Sequence, residues 1–333
     1  MPTLKGIWPN LEDKILIRFG NQPINKVSCN SKNISPGDLF VAIKGASCDG
    51  HQFIDEAIRR GAGVIVSEED KDSLLRSNKV LFIKVPKSRL ALAELAVGFY
   101  GNPAQKVKVI GITGTNGKTT VSYLLEKILY AAGFSVGVIG TINYKIKDRI
   151  IPATNTTPGP LELQSYLAQM ADKKVEFCVI EVSSHSLEQE RIKGIDFQGA
   201  IFTNLASDHL DYHLTVENYF AAKARLFTDL KDNAFAAINF DDALSQKLIK
   251  STRAKVVTYG MKGNAEFVAK NVALDLNGTS FLMVSPEGEV EMRSAFLGRH
   301  NIYNILAAAS LGSRLGIDLK TIKKGVEALE VVP

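Results

Sequence analysis

The stretch KVKVIGITGTNGKTTVSYLL, Lys106 to Leu125, constrains the fold more than any other part of the chain. An apolar, β-branched run stops at Gly-Thr-Asn-Gly, and Lys-Thr-Thr then opens a segment with helical spacing, to about Ala132. Gly114 and Gly117 let backbone N–H groups turn toward one point, where the following helix adds its N-terminal partial charge. A loop of this kind cradles phosphate oxygens, with Lys118 reaching the outer phosphates and the Thr119 hydroxyl suited to Mg²⁺. The strict spacing of such loops is not met: Ile112 stands at the first glycine position, and Gly111 precedes it. Strand, glycine loop and helix in succession belong to a doubly wound, mostly parallel sheet.

At 333 residues the chain is long for one core, so two domains are expected. Short β-branched runs, Asp38–Ile43, Ala62–Ser67 and Val80–Val85, alternate with helical patterns at residues 51–61 and 88–100. Gly61 suits the end of the first helix, and Gly101–Asn102–Pro103 marks a boundary between domains 1–103 and 104–333. Beyond Lys106 further strands are expected at Ser135–Gly140, Glu176–Ser184, Gly199–Leu205 and Ala234–Phe240, separated mostly by helices. After KVVTYG the residues alternate, with Asn277-Gly278 and Glu287-Gly288 as hairpin turns, so an added antiparallel sheet is expected. Helical patterns close the chain.

A net charge of +5 favours acidic ligands, but basic residues do not cluster with aromatics as nucleic-acid binding requires. Cys29, Cys48 and Cys178 have no paired spacing, which fits a reducing compartment and gives neither a zinc site nor a disulfide framework. The amino terminus lacks the apolar core of a secretory signal, and no segment approaches the ~20 apolar residues that span a bilayer. A cytoplasmic protein without membrane or nucleic-acid partners is expected.

Three further stretches bear chemistry. VIEVSSHSLEQERI brings Glu181, Ser183, Ser184 and His185 to the carboxyl end of a strand, where doubly wound sheets bind ligands. A carboxylate within an apolar strand needs a partner, either a buried lysine or a metal. Gln189 and Arg191 can grip an anion or line a solvated helix face. In TNLASDHLDYH, Asp208, His209, Asp211 and His213 crowd one loop, as ligands of a second divalent cation or as capping residues. Lys223, on the helix ENYFAAKARLF, sits among apolar neighbours, a setting from which lysines ordinarily snorkel to solvent. TNTTPGP is a rigid loop of hydroxyls and proline, able to close over an anion or simply to turn.

GITGTNGKTT, NTTPGP, EVSSHSLEQERI, SDHLDYH, YFAAKARLF and GRHNIYNILAAA together resemble the Mur ligase family, ATP-dependent amide-forming enzymes of peptidoglycan synthesis, in the family's order and over nearly the whole chain. The amino-terminal NSKNISPGDLFVAIKGASCDGHQFI resembles the uridine-binding domain of the member that adds the third residue, meso-diaminopimelate or L-lysine, to UDP-N-acetylmuramoyl-L-Ala-D-Glu. Where the family usually shows Asp-Ser-Arg, this chain has Asn30-Ser31-Lys32. The resemblance implies that Gly114, Thr115, Asn116, Gly117, Lys118, Thr119 and Thr120 hold ATP phosphates, with Asn301 on the adenine side. It implies two Mg²⁺ sites involving Thr119, Glu181, His209 and Lys223, the last carbamylated by CO₂. It further implies that Ser31, Ala46, Ser47 and Cys48 hold the uridine side of the substrate. Asn155, Thr156, Thr157, Ser183, Gln189 and Arg191 would hold its pyrophosphate and muramoyl end. Lys118, Glu181, His209 and Lys223 would be catalytic, the enzyme a monomer, and the product an amide formed through an acyl phosphate.

The family also has a third, carboxy-terminal domain, on the order of 100–150 residues by ordinary domain size, which carries amino-acid recognition. The chain ends where it is expected to begin, so a fragment weak or inactive as a ligase is expected. Rival readings are another Mur ligase step, folylpolyglutamate synthetase, and a non-catalytic nucleotide-binding switch or scaffold.

Overall fold

The computed structural model describes residues 1–9, 11, 20–45, 48–70, 80–276 and 278–333. Contacts gather into two units: Met1–Pro103 with Gly159–Ala168 and Gln189–Gly194, and Ala104–Pro158 with Gln169–Glu188 and Ile195–Pro333. Sequence reading places the two short later segments in the second domain; the structure packs them with the first unit. Leu161 lies against that unit's apolar core, and Gly194 sits beside Val97. No local pattern announces such distant pairing.

In the first unit, strands β1 (Val27–Ser28), β2 (Leu39–Val41), β3 (Val64–Ser67) and β4 (Leu81–Lys84) form a parallel sheet in that order. Helices α1 (Leu4–Ile7), α2 (Ile54–Arg59) and α3 (Ser88–Phe99) cover its faces. Leu39, Val41, Val64 and Val66 share a core with Leu4, Ile7, Leu92 and Leu95, while Phe40, Ala42 and Ile65 share another with Ile54 and Ala57. Both faces are therefore buried, which is why these strands read as unbroken apolar runs. A one-residue slip would exchange the two sets, so the register is tightly specified.

The second unit is built on an eleven-stranded sheet ordered β15-β14-β13-β12-β11-β10-β5-β9-β6-β7-β8. Its strands are β5 (Lys108–Thr113), β6 (Val136–Ile139), β7 (Asn143–Ile146), β8 (Arg149–Pro152), β9 (Phe177–Glu181), β10 (Phe197–Phe202), β11 (Phe235–Asn239), β12 (Lys255–Gly260), β13 (Phe267–Asp275), β14 (Gly278–Ser285) and β15 (Gly288–Ser294). Pairing is parallel from β13 across to β6, as a doubly wound sheet requires. Antiparallel hairpins extend both edges. The antiparallel strands expected after Gly260 thus continue the parallel sheet rather than form a layer of their own. Of the first expected turn, Asn277 lies outside the described residues. The hairpin β7–β8 has no counterpart in the sequence reading.

Helices α4 (Lys118–Ala131), α5 (Pro160–Asp172), α6 (Ser184–Glu188), α7 (Leu210–His213), α8 (Val216–Thr228), α9 (Ser245–Ser251), α10 (Arg299–Arg314) and α11 (Leu319–Glu327) follow in chain order. Val121, Leu124, Leu125, Ile128 and Leu129 form the apolar stripe of α4 and pack with Ile302, Ile305 and Leu306 of α10 and Ile322 and Val326 of α11. Each such side chain contributes about 1.5–3 kcal/mol on burial. A Cβ on Gly325 would lie 2.5 Å from Ile128 Cα, so only glycine allows α11 to approach α4 this closely. On the other face, Leu226 of α8 packs beside Gly111 of β5. The chain runs from β5 to β6 and β9 on one side and then to β10 on the other, so the order reverses at β5. Ligands bind at the carboxyl ends of strands flanking such a reversal.

Candidate nucleotide and metal site

The loop after β5 is backbone brought to the surface by glycine. Gly114 has φ +144° and Gly117 φ +88°, the latter as the residue capping α4. A Cβ at Gly114 would fall 1.9 Å from Thr203 Oγ1, and one at Gly117 would fall 2.4 Å from Asn304 Oδ1. Neighbouring loops hold this turn open. Thr203 Oγ1 donates to the Asn116 carbonyl at 2.6 Å, and the Asn116 N–H donates to Asn204 Oδ1 at 3.1 Å. The Thr115 N–H donates to the Asn204 carbonyl, and the Ala206 N–H to Thr115 Oγ1, both at 2.9 Å.

Two lysines converge on one carbonyl inside this loop. Lys118 Nζ donates to Gly114 O at 3.0 Å and Thr115 O at 2.9 Å; Lys223 Nζ, from α8, donates to Gly114 O at 2.9 Å. Lys223 is 2% exposed, so it does not snorkel. Its ammonium also rests 4.4 Å from the centre of the Tyr219 ring. Burial, then the neighbouring charge of Lys118, pushes Lys223 down to about 7; Asp208 acts in the opposite sense. Burial also lowers Lys118, opposed by the charges of Glu181 and Asp208.

Glu181 ends β9 at 1% exposure. Its partners are neutral: Thr119 Oγ1 and Thr141 Oγ1 donate to Oε2, each at 2.9 Å, and the Thr141 N–H donates to Oε1 at 3.2 Å. No ion pair to Glu181 occurs among the described residues, so the buried-lysine alternative does not describe it. A Cβ on Gly140 would strike Oε1 at 2.2 Å, which explains glycine there. β9 stops at Glu181, and Ser184 opens α6 instead of prolonging the strand. Thr157 of the NTTPGP loop is buried and donates to the Glu181 carbonyl at 2.7 Å, while its oxygen accepts the Ser183 N–H at 3.1 Å. Thr156 meets Thr141 through their hydroxyls at 3.1 Å, and exposed Asn155 is tied through its backbone to the Tyr144 hydroxyl.

The loop after β10 separates the four residues grouped by sequence. Asp208, His209 and Asp211 are exposed, whereas His213 is buried with both ring nitrogens engaged, by Ser184 Oγ at 2.9 Å and Glu188 Oε2 at 3.2 Å. His213 is therefore not an available ligand, because one helical turn carries it away from His209 into the protein. Burial lowers its pKa. The His209 ring stacks edge-on against His185 at 5.0 Å and Tyr219 at 6.0 Å, the same tyrosine that carries the Lys223 ammonium.

Beside the glycine loop lies a cavity of about 520 Å³, lined by Asn116, Gly117, Thr120, His300, Asn301 and Tyr303 among others. The volume suits a nucleoside-sized ligand. Asn301 is oriented by its own bond to the Leu297 carbonyl and by Asn304 Nδ2, and Tyr303 by its bond to Asp241 at 2.8 Å. Asn116, Gly117 and Thr120 are expected there from the sequence, but of the residues on the helix Arg299–Arg314 only Asn301 is. The spacing of His300, Tyr303 and Asn304 along one helical turn held the missing signal.

In the first unit Ser31 is buried and donates to Glu56 Oε2 at 2.7 Å, so its hydroxyl proton is committed internally. Asn30 caps the short turn that contains Ser31 by accepting the Lys32 N–H. Cys48 is exposed, and Ala46 and Ser47 lie outside the described residues. Gln189 Oε1 accepts from Arg191 at 2.8 Å and from Arg89 at 3.5 Å, gathering two guanidinium groups around one amide.

Comparison with known proteins gives these sites a context. Residues 112–312 match the Mur ligase middle domain, and residues 23–100 match the model described as Mur ligase family, catalytic domain. The chain belongs to the Mur ligase family. It is 43% identical over 328 residues to the UDP-N-acetylmuramoyl-L-alanyl-D-glutamate–2,6-diaminopimelate ligase of Geobacter sulfurreducens, covering 96% of this chain and 64% of that protein. A solved 2,6-diaminopimelate ligase of the same name superposes with TM-score 0.85 at 30% identity, over 99% of this chain and 67% of the other. A MurF ligase from Thermotoga maritima, solved in complex with ADP, gives TM-score 0.63 at 26% identity, over 92% of this chain and 66% of that one. The chain thus spans about two thirds of the length of these relatives.

The residues of this Mur ligase chain fit both ATP and Mg²⁺. Gly114 and Gly117, where Thr203 Oγ1 and Asn304 Oδ1 leave no space for a Cβ, turn the loop backbone into the start of the helix Lys118–Ala131, and a helix N-terminus is a phosphate site. The Thr119 hydroxyl beside the Glu181 carboxylate is an all-oxygen donor pair of the kind Mg²⁺ takes. No helix among the described residues is long and apolar enough to cross a membrane.

Proposed function

We propose that this chain carries the ATP-binding and UDP-substrate-binding parts of a ligase that joins 2,6-diaminopimelate to UDP-N-acetylmuramoyl-L-Ala-D-Glu. Residues 1–103 form the uridine-binding domain and 104–333 the ATP-binding domain, acting in the cytoplasm as a monomer. The names of relatives at 40–43% identity support the choice of substrate. The observation that carries the reading is the convergence of Lys118 and Lys223 on the Gly114 carbonyl, with Thr119 and Glu181 paired at the start of the same helix.

In this reading the γ-phosphoryl group of ATP passes to a free carboxylate of the D-Glu residue, giving an acyl phosphate and releasing ADP. The incoming amine attacks the acyl carbon, phosphate leaves, and the amine loses a proton as the amide forms. Two anions must first approach one another, so catalysis consists mainly of positioning and charge neutralisation. Lys118 and the N–H groups of residues 117–120 neutralise the outer phosphates, while the Thr115 and Asn116 N–H groups hold the loop to Asn204. Thr119 and Glu181 would hold Mg²⁺ at one site, and Glu181, His209 and Lys223 in its carbamylated form at the other, where the ions would supply further positive charge.

Lys223 suits carbamylation by CO₂. An amine lowered to about 7 is substantially neutral at physiological pH, and its lone pair can attack the carbon of CO₂ with loss of a proton. The product replaces a cation with a carboxylate on a long arm beside the phosphate cradle. For the UDP substrate, the first unit would offer Ser31, Cys48, Gln189 and Arg191, and the second unit, taken by itself, would offer Asn155, Thr156, Thr157 and Ser183.

Calorimetric titration with UDP-N-acetylmuramoyl-L-Ala-D-Glu, with UMP as control, tests this reading. Micromolar or tighter binding that weakens in Arg191→Ala is expected. Absence of binding, or a preference for a folate, would overturn the reading.

A further inference from the structure

From Ser207 to Thr215 the chain is exposed at every residue except His213, which is 4% exposed. Of the apolar residues of this turn, Leu210 and Leu214 face solvent, and Tyr212, partly exposed, lays its ring 4.2 Å from that of His185. The turn therefore has no core of its own, yet its backbone is demanding. His209 has φ +53°, and Leu214 lies at φ +68°, ψ −42°, with the Thr215 N–H donating to the His213 carbonyl at 2.8 Å. That closure is a γ-turn of the rare, strained kind. Strain of this sort persists only where surrounding contacts over-determine it.

His213 supplies those contacts. Its N–H donates to the His209 carbonyl at 2.9 Å, and its own carbonyl accepts from Thr215 and, at 3.0 Å, from Asn218 Nδ2. Its ring reaches Ser184 and Glu188, at both ends of α6. One tautomer satisfies every partner: Nδ1–H donates to the Glu188 carboxylate, and Nε2 accepts the Ser184 hydroxyl proton. No lone pair is then left for a metal, and the side chain joins the loop after β10 to the helix after β9.

Building on the ligase reading, we propose that His213 is a positioning residue. It fastens the turn that bears Asp208 and His209 to α6, and so sets where the His209 imidazole meets a divalent cation.

The test compares wild type, His213→Ala and Ser184→Ala in the 333-residue chain. Three quantities are measured: affinity for a non-hydrolysable ATP analogue, affinity of that complex for Mn²⁺, and the His209 ring signals in NMR of the metal-free protein. With His213→Ala, Mn²⁺ affinity falls about tenfold or more, as loss of an orienting partner does, while analogue affinity stays within about twofold. The His209 signals shift or broaden before any metal is added. Ser184→Ala removes one hydrogen bond while keeping the ring, so it moves the same quantities less and serves if His213→Ala fails to fold. Unchanged Mn²⁺ affinity and His209 signals in a folded variant would overturn the proposal. Equal losses of analogue and metal affinity would also overturn it, since they mark general damage. Failure of wild type to bind the analogue would instead bring down the ligase reading, and the proposal with it.

Discussion

β5 and β10 are parallel neighbours, and each ends in a loop that leads into a helix, but the loops are built by opposite means. After β5 the turn is made by Gly114 and Gly117, whose positive φ angles cost little and whose missing side chains let Thr203 and Asn304 pack directly against the loop. After β10 the positive-φ residues are His209 and Leu214, and a buried histidine holds them in place. The first loop needs backbone exposed to phosphate, which only glycine allows. The second must present side chains, so it keeps them and tolerates strain, at about 1–3 kcal/mol for each such residue.

The largest effect is expected from making the first loop resemble the second. Gly117→Ala places a Cβ 2.4 Å from Asn304 Oδ1 at φ +88°. Affinity for a nucleotide should fall by about a hundredfold or more, and stability by about 1–3 kcal/mol, by calorimetry and denaturant unfolding. Retention of wild-type affinity would break the comparison.

Lys223 links the two loops, since the helix after the second delivers its amine to the first. Its pKa in the folded protein is about 7, against an ordinary value of 10.5, so between those limits the unfolded chain binds more protons. Stability must then rise with pH across that window and be independent of this group below about 7. In CO₂-free buffer, stability of wild type relative to Lys223→Met should climb from pH 7 to 9, by at most about 1.4 kcal/mol per unit. A flat difference would show that the amine is not held as the structure places it.

The smallest effect comes from making the second loop resemble the first. Leu214 is 76% exposed, so Leu214→Gly forfeits little packing and relieves the γ-turn. Its stability should stay within about 1 kcal/mol of wild type, on the stabilising side, by thermal or denaturant unfolding. A larger loss would mean that the leucine side chain, not His213, maintains the turn.

The contrast also governs what was legible in the sequence. Glycine at 114 and 117, between a β-branched strand and a helical stripe, announces both local structure and chemistry, because backbone geometry there depends on residue type alone. The doubly wound sheet follows from such local periods. The hairpin Asn143–Pro152 escaped because its alternation is brief and its turn uses Lys147, at φ +53°, in place of glycine. For His213 the sequence leaves ligand and capping residue open, because only nearness to Asp208 speaks for a shared ligand set, whereas one helical turn buries it against residues 25 and more positions earlier. The pairing of Glu181 with the Thr119 and Thr141 hydroxyls was hidden for the same reason: its partners lie 62 and 40 residues away. Long-range partners of polar groups are set by tertiary packing, and local pattern does not encode them.

The loop after β5 is the proposed ATP site on which the other roles depend. Titration of the chain with a non-hydrolysable ATP analogue and Mg²⁺, in wild type and Lys118→Ala, tests it. Micromolar binding by wild type that is lost in the variant is the predicted result; no binding, or binding indifferent to Lys118, would contradict it.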